Sequence, residues 1–358
     1  MNPIAWIDVL TPKQALISVY LYEEFRKREI DVIVTCRKYD YTIGVLKNGR
    51  VEPVIIGEYG GRSLLSKLIA SSERQLELSR YWLNTRRPDI HISMTSPEGT
   101  RVAFGLRIPI LLLSDTPHSI FVNKLTIPLA DTVIIPKAVA FNEYLNIDSN
   151  KDKFVRFNGV FELMWINKFS PKESVLKNLG LTKYEYVVLR PGEFKASYYP
   201  TMNIKQSVMS NIVSELLEHV NVVILPRYVD QYEFLKQELG DNIIIPDKAV
   251  DTLSLEYYAL LVVTGGLTMA TEAALMGTPA ITFFPKRLDI EKFLEDMGFP
   301  IYHLSIDKLR STVLKIIENP QNYRKNTREL LSKLEDPTSI ILERSMDLIK
   351  RRILEDNK

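Results

Sequence analysis

The sequence predicts an α/β protein made of two Rossmann-like, doubly wound domains. Short apolar runs suited to buried parallel strands alternate with helix-like segments through most of the 358 residues. The chain is longer than one hydrophobic core usually supports, so two domains are expected. From about residue 306 the strand signals stop and the chain becomes helical and highly charged. We therefore expect two domains that face a central cleft, followed by a helical C-terminal tail.

The first half of the chain predicts one domain over residues 1–165. Its predicted strands are Ile4–Val9, Asp31–Cys36, Val51–Ile56, Asp89–Met94, Ile108–Ser114 and Thr132–Ile135. Residues 154–160 predict one more strand, either the last of this sheet or the start of the crossing to the next domain. Helices fill the gaps, and the one at about residues 62–87 mixes apolar with basic residues. That pattern fits an anionic membrane surface or, more commonly, a helix packed on a sheet.

The second half repeats the alternation over residues 171–305, after a linker that ends before Pro171. Its predicted strands are Tyr186–Leu189, Val222–Leu225, Ile243–Ile245, Leu261–Val263 and Ala280–Phe283. The tail over residues 306–358 is expected to pack back on the first domain, and Pro320 and Pro337 predict that it is broken into pieces.

Composition narrows the classes of function. Hydrophobic residues make up 46% and charged residues 25%, and the net charge is only +2, so nothing indicates nucleic-acid binding. The single cysteine, Cys36, excludes an internal disulfide and ends an apolar run typical of a buried strand. The first residues lack the pattern of a signal peptide, and no run reaches the roughly 18 to 20 apolar residues that span a bilayer. We expect a cytoplasmic protein, with peripheral membrane contact left open and no metal or cofactor.

The stretch from Leu260 to Pro285 is the most informative in the chain. It predicts a buried strand, a turn at Gly265 and Gly266, and a helix that begins at Thr268. The backbone N–H groups at such a helix start suit a phosphate. Glu272 is the one acid of that helix and fits a ribose hydroxyl. The alternative is an ordinary strand-to-helix junction with a solvated acid.

Two further strand ends of the second half carry cations. Arg190, Glu193 and Lys195 follow the first strand of that half, and Arg227 ends the next strand. An arginine fork and a lysine charge on a turn suit a diphosphate, although a solvated loop is also charged.

The loops of the first half offer acid–base groups. Asp8 ends the first strand and fits either a base or a turn-holding residue. Glu98 follows Ser96, a predicted helix cap, so its role is open between a cleft residue and a first-turn acid. Asp115 and His118 follow the fifth strand, where an imidazole oriented by a carboxylate suits proton transfer. The alternative is a helix cap followed by an exposed histidine.

Taken together, these segments resemble the glycosyltransferase-B superfamily (GT-B-like fold). Within it, the chain resembles a prokaryotic domain-of-unknown-function group related to non-hydrolysing UDP-N-acetylglucosamine 2-epimerases and to MurG-type transferases. The resemblance rests on five segments, SPEGTRVAFG, SDTPHS, NKLTIPLAD, RPGEFKASYY and TGGLTMATEAALMGTPAI, and covers roughly residues 4–302. The last segment is similar to the glycine–glutamate pattern of MurG-type enzymes.

The resemblance implies a nucleotide-sugar site in the second domain and an acceptor site in the first. It implies that Glu272 holds the ribose of a UDP donor. The first loop departs from the relatives, because Lys13 stands where they are expected to have a histidine.

The leading hypothesis is a glycosyltransferase that uses a nucleotide diphosphate sugar as donor, with UDP as the favoured nucleotide. The sequence does not identify the acceptor, and a lipid-linked acceptor is one of the options. Catalysis would rest on Asp115, His118 and Glu98. The alternatives are a sugar-nucleotide epimerase of the UDP-N-acetylglucosamine 2-epimerase type and a non-catalytic nucleotide-sugar-binding module.

Overall fold

A computed structural model of the chain describes residues 2–39, 41–61, 63–192, 212–227, 229–246 and 250–356. The chain forms two compact units, Met1–Trp165 with Glu335–Lys358, and Ile166–Leu334. Among the described residues, the first unit holds a seven-stranded sheet and the second a five-stranded one. All strand pairs of both sheets are parallel. The predicted pair of parallel-sheet α/β domains is therefore confirmed.

The first sheet has the strand order β3-β2-β1-β4-β5-β6-β7. Its strands are β1 (Ile4–Val9), β2 (Asp31–Lys38), β3 (Val54–Glu58), β4 (Ile90–Ser93), β5 (Ile110–Leu113), β6 (Thr132–Pro136) and β7 (Phe154–Phe157). The direction of the strand order reverses between β1 and β4, and the carboxyl ends beside such a reversal are where doubly wound sheets bind ligands.

Helices connect these strands. They are α1 (Pro12–Arg26), α2 (Thr42–Asn48), α3 (Leu64–Leu83), α4 (Pro97–Gly105), α5 (Ile120–Thr126), α6 (Phe141–Leu145) and α7 (Leu163–Ile166). The start of α4 follows from sequence, because the Ser96 hydroxyl accepts a hydrogen bond from the Gly99 N–H and Pro97 occupies the first helical position. α3 begins similarly, with the Ser63 hydroxyl accepting from the Ser66 N–H.

The second sheet has the order β12-β11-β10-β8-β9. Its strands are β8 (Tyr186–Arg190), β9 (Asn221–Ile224), β10 (Leu261–Thr264), β11 (Ala280–Thr282) and β12 (Ile301–His303). The helices with described bounds in this unit are α8 (Ser174–Leu179), α9 (Val229–Leu239), α10 (Thr252–Tyr258), α11 (Thr268–Leu275), α12 (Asp289–Asp296), α13 (Ile306–Glu318) and α14 (Arg328–Leu331). Residues 212–216 are helical as well. Here the strand order reverses between β8 and β10.

The charged tail is divided between the two units. α13 contributes Leu309, Val313 and Ile316 to the core of the second unit. The last helix, α15 (Thr338–Asp356), belongs to the first unit and packs against α1 and β4. Only the final part of the predicted tail region, from Glu335, therefore lies in the first unit.

Element boundaries differ from the prediction in a few places. The predicted strand at residues 243–245 is a single bridge between Val223 and Ile244, because it meets only the edge strand β9. β12 was not predicted, since a three-residue edge strand with one fully buried position, Ile301, carries little periodic signal. The predicted strand at residues 154–160 is shorter and ends the first sheet as β7.

None of the helices within the described residues combines the length and the apolar content that a membrane span needs.

Candidate functional site

The glycine turn of the second unit lies at the point where its strand order reverses. Thr264, the last residue of β10, pairs in register with Arg190, the last residue of β8. The Gly265 N–H donates to the Arg190 carbonyl at 3.1 Å, and the Gly266 N–H donates to the Thr264 hydroxyl at 3.0 Å. α11 begins two residues later at Thr268, and its N-cap position, Leu267, has no side chain that could bond the first N–H groups. The predicted glycine turn and helix start are therefore present, and the first N–H groups of α11 are the ones left for a ligand; phosphate binding there stays a prediction.

Close approach between two loops explains the first glycine of this turn. A Cβ atom on Gly265 would lie 2.5 Å from the Cα of Gly192, in the loop after β8. Real Cβ atoms do not approach backbone so closely, so only glycine allows the two loops to pack together.

Arg227 joins the loop after β9 to the same turn. Its guanidinium Nε donates to the Pro191 carbonyl at 3.1 Å, and its Nη2 lies 2.9 Å from where a Cβ on Gly266 would be. Gln231 accepts from the Arg227 N–H at 2.8 Å and donates to the Gly192 carbonyl at 3.2 Å. A guanidinium is thus fixed directly over the glycine turn at the sheet's carboxyl edge.

Two buried carboxyl groups lie behind the turn. Glu272, on α11, is 3% exposed, and Glu256, on the neighbouring α10, is fully buried. Neither carboxyl oxygen of Glu256 has a hydrogen-bond partner among the described residues. Burial, followed by the charge of Glu272, raises the pKa of Glu256 well above its usual range despite Arg190. Burial beside Glu272 therefore favours the protonated form of Glu256, and no local sequence signal predicted that the two carboxyl groups are close.

The remaining predicted donor-side residues fall in two groups. Arg190 ends β8, and the loops and helix described above carry Arg227, Gly265, Gly266, Thr268 and Glu272. Glu193 and Lys195 lie outside the described residues.

The first unit has a buried ion pair at its own reversal point. Arg74 of α3 donates to both carboxylate oxygens of Asp8 at 2.6 and 3.0 Å, and Thr35 and Ser96 each donate to Asp8 at 2.5 Å. Burial alone would raise the pKa of Asp8, but the charge of Arg74 and these hydrogen bonds lower it to about 2. Both carboxylate oxygens of Asp8 are hydrogen-bonded, so this residue holds neighbouring elements of the first unit together. Glu98 is 6% exposed and its carboxylate lies 3.7 Å from the Arg74 guanidinium.

A second cluster in the first unit joins three strand ends. The Lys13 ammonium, after β1, lies 2.6 Å from a carboxylate oxygen of Asp115, after β5, and 2.6 Å from one of Glu162, after β7. Burial and the neighbouring Asp115 raise the pKa of Glu162 although Lys13 lowers it, and the two carboxylates hold the pKa of Lys13 above its usual range. The cluster therefore holds one ammonium against two carboxyl groups, one of which readily keeps a proton.

The three predicted catalytic residues lie in three different surroundings in the first unit. Asp115 belongs to the Lys13 cluster, whereas Glu98 lies beside Arg74. His118 is exposed and lies in a turn two residues before α5, rather than inside a helix as expected. Glu162 was missed, because it follows a glycine and apolar residues with no other chemical signal.

Within the described ranges, no group of three or more His, Cys, Asp or Glu side chains is arranged to hold a metal ion.

Comparison with known proteins identifies the family. The model of a family described as a protein of unknown function (DUF354) matches residues 4–350. The chain belongs to this family. An uncharacterised protein of Methanocaldococcus jannaschii, MJ0665, is 28% identical over 98% of this chain and 100% of its own length.

Solved structures share the fold at low identity. The UDP-GlcNAc 2-epimerase of Methanocaldococcus jannaschii, in complex with UDP-GlcNAc and UDP, has a TM-score of 0.73 at 16% identity over 96% of this chain and 99% of that chain. The Neisseria meningitidis UDP-GlcNAc 2-epimerase bound to UDP-GlcNAc has a TM-score of 0.63 at 14% identity over 97% and 100%. The glycotransferase of kitacinnamycin has a TM-score of 0.58 at 16% identity over 98% and 99%. The predicted GT-B-like fold is confirmed.

Proposed function

We propose that this DUF354 protein is a glycosyltransferase that holds a nucleoside diphosphate sugar, with UDP as the favoured nucleotide, on its second unit. The observation that carries the proposal is the Arg227 guanidinium fixed over the Gly265–Gly266 turn at the start of α11. A diphosphate needs both a positive charge and backbone N–H donors, and this turn brings the two together. Solved structures with the same fold contain UDP and UDP-GlcNAc, which supports a uracil nucleotide.

The proposed reaction transfers the sugar to an acceptor hydroxyl. The acceptor oxygen forms a bond to the anomeric carbon, and the bond from that carbon to the diphosphate oxygen breaks. The negative charge then gathers on the diphosphate, where Arg227 and the first backbone N–H groups of α11 stabilise it. Because these groups carry the charge stabilisation, we expect UDP binding to persist in EDTA.

The proton of the acceptor hydroxyl goes to Asp115 in this proposal. Its carboxylate is oriented by Lys13, which also binds Glu162, and burial together with Asp115 raises the pKa of Glu162. His118, exposed in the turn after Asp115, is the alternative acceptor of the proton.

Measurements of UDP binding distinguish the second unit, which is proposed to hold the nucleotide, from the first. UDP should raise the melting temperature of the wild-type protein, since a ligand of the native state stabilises it. Gly266→Ala, whose Cβ displaces the Arg227 guanidinium, and Arg227→Gln should each weaken UDP binding about tenfold or more. Lys13→Met should leave UDP binding unchanged, which makes it the matched control in the other unit. A wild-type protein whose melting temperature responds to no UDP, GDP or TDP ligand would refute the proposal.

Epimerisation of UDP-GlcNAc is the second candidate, favoured by two carboxyl groups on one buried lysine and by the fold shared with two UDP-GlcNAc 2-epimerases. An epimerase needs no acceptor. Incubation with UDP-GlcNAc alone, followed by proton NMR of the sugar, distinguishes the two: a new sugar epimer supports epimerisation, and unchanged sugar with intact UDP binding supports transfer.

A further inference from the structure

An apolar stripe runs along the exposed side of α3. Its members are 49% to 82% exposed: Leu64, Leu65, Leu68, Ile69, Leu76 and Leu83. α3 has 20 residues and is therefore about 30 Å long. The buried residues of this helix are Arg74, Leu78 and Trp82. Soluble monomers rarely leave a contiguous apolar surface of this length uncovered, so the stripe indicates a partner.

The spacing along the stripe is that of a helix-pairing seam. Outward positions alternate in steps of four and three residues through Leu65, Ile69, Ser72, Leu76, Ser79 and Leu83. This is the a/d pattern with which one helix packs against another.

The two serines of the seam can be buried at little cost. The Ser72 hydroxyl donates to the Leu68 carbonyl at 3.0 Å, and the Ser79 hydroxyl donates to the Gln75 carbonyl at 2.8 Å. Both hydroxyls are satisfied inside the helix, so covering them leaves no unpaired polar group. They act as small residues that admit a large side chain from the partner.

We propose that α3 is the docking surface for a second copy of this chain, with the two α3 helices packed antiparallel about a two-fold axis near residue 74. In the register of greatest overlap, Leu65 lies against Leu83 of the second copy. Ile69 then lies against Ser79 of the second copy, and Ser72 against Leu76. Each central layer pairs a large residue with a small one, whereas a parallel pair would set serine against serine and leave voids.

The charges beside the stripe favour a protein partner over an anionic membrane. On the flanks of the stripe, Arg80 is accompanied by the acids Glu73 and Glu77 of the same helix. A rim without excess positive charge around an apolar centre is typical of protein interfaces, while binding to anionic lipid relies on a basic rim. A second copy is the partner that the self-complementary seam fits.

In the proposed register, one substitution beside the two-fold axis should strengthen the dimer. Glu73 sits beside the two-fold axis, so its carboxylate faces that of Glu73 in the second copy across the rim. Glu73→Gln should remove this repulsion and tighten the dimer a few-fold, and the effect should shrink at high salt.

Mass measurements test the surface. Light scattering coupled to size-exclusion chromatography should give the wild-type protein twice the 41.2 kDa of one chain. Leu76→Glu, which places a charge in the seam at a solvent-exposed position, should raise the dimer dissociation constant about 100-fold or more. Leu125→Glu on α5, 61% exposed and outside the stripe, is the matched control and should remain dimeric. A wild-type protein that stays monomeric up to roughly 100 μM overturns the proposal.

Cross-linking tests the orientation. The only cysteine of the chain, Cys36, is buried, so a disulfide between two copies must come from the introduced cysteine. Glu73→Cys should form a disulfide-linked dimer under mild oxidation. Leu65→Cys should not, because antiparallel packing separates the two copies of residue 65 by about 27 Å. Cross-linking of Leu65→Cys alone would overturn the antiparallel register. Binding of the wild-type monomer to anionic vesicles, lost in Leu76→Glu, would replace the second copy with a membrane as the partner.

Discussion

Replacing Asp8 with asparagine is expected to destabilise the first unit strongly, because it removes the counter-charge of a buried guanidinium. Arg74 is 1% exposed and bonds both oxygens of Asp8. Removing one partner of a buried ion pair costs about 3–5 kcal/mol. The lowered pKa of Asp8 points the same way: the fall from 3.8 to about 2 corresponds to about 2 kcal/mol.

The pH of the measurement follows from the sign of this pKa shift. A carboxyl group whose pKa is lowered in the folded state stabilises the protein above its unfolded pKa, here about 3.8, and the contribution is lost as the pH falls toward 2. The full effect of Asp8→Asn should therefore be present at pH 7.

Tryptophan fluorescence isolates the unit that this substitution affects. All three tryptophans of the chain, Trp6, Trp82 and Trp165, lie in the first unit. Urea unfolding followed by this signal should show a loss of about 3 kcal/mol for Asp8→Asn. Adding Arg74→Met should recover at least half, because the stranded charge is then absent. A double variant as unstable as the sum of the two single variants, or a loss below about 1 kcal/mol for Asp8→Asn, would refute the reasoning.

Three further predictions concern buried titratable groups. Burial lowers the pKa of His91 from 6.5 to about 4. The free energy of unfolding of the first unit should therefore fall by about 3 kcal/mol as the pH drops from 6.5 to about 4. His91→Phe should reduce this pH dependence in unfolding monitored by tryptophan fluorescence. Glu256→Leu should stabilise the second unit by about 1 kcal/mol or more. The gain should grow as the pH rises above 4.5, because a carboxyl group whose pKa is raised in the folded state lowers stability above its unfolded pKa. Thermal unfolding at pH 5 and pH 8 measures the gain, and equal gains at the two pH values would contradict the prediction. Asp115→Asn keeps an oxygen for Lys13 but cannot take the proton of the acceptor hydroxyl, so it should lower turnover about 100-fold with unchanged UDP affinity in calorimetry.

The donor side was largely predictable because its signals are local. A buried strand, two glycines and a helix with one acid follow one another within fifteen residues, so each boundary is set by residues close in the chain. The same reasoning placed Arg190 at a strand end, where the structure has it, whereas Arg227 lies in the loop three residues beyond the end of β9. That these residues bind a ligand remains a prediction.

The acid–base side was less predictable because its partners are distant in sequence. Lys13 meets Asp115 and Glu162 across separations of 102 and 149 residues. Asp8 likewise meets Arg74 across 66 residues. Such pairs depend on which strands are neighbours and on which face a helix packs, and neither follows from local spacing.

The sequence by itself determined the two parallel sheets, the capped helix at Ser96 and the glycine turn at Gly265, since strand alternation, caps and turns are fixed by residues close in the chain. Tertiary structure alone decided that Asp8 is neutralised by Arg74, that Lys13 joins two carboxyl groups and that Glu256 is buried beside Glu272. The reason is electrostatic: the free energy of a charge depends on its burial and on its neighbours in space, and the strand order sets both.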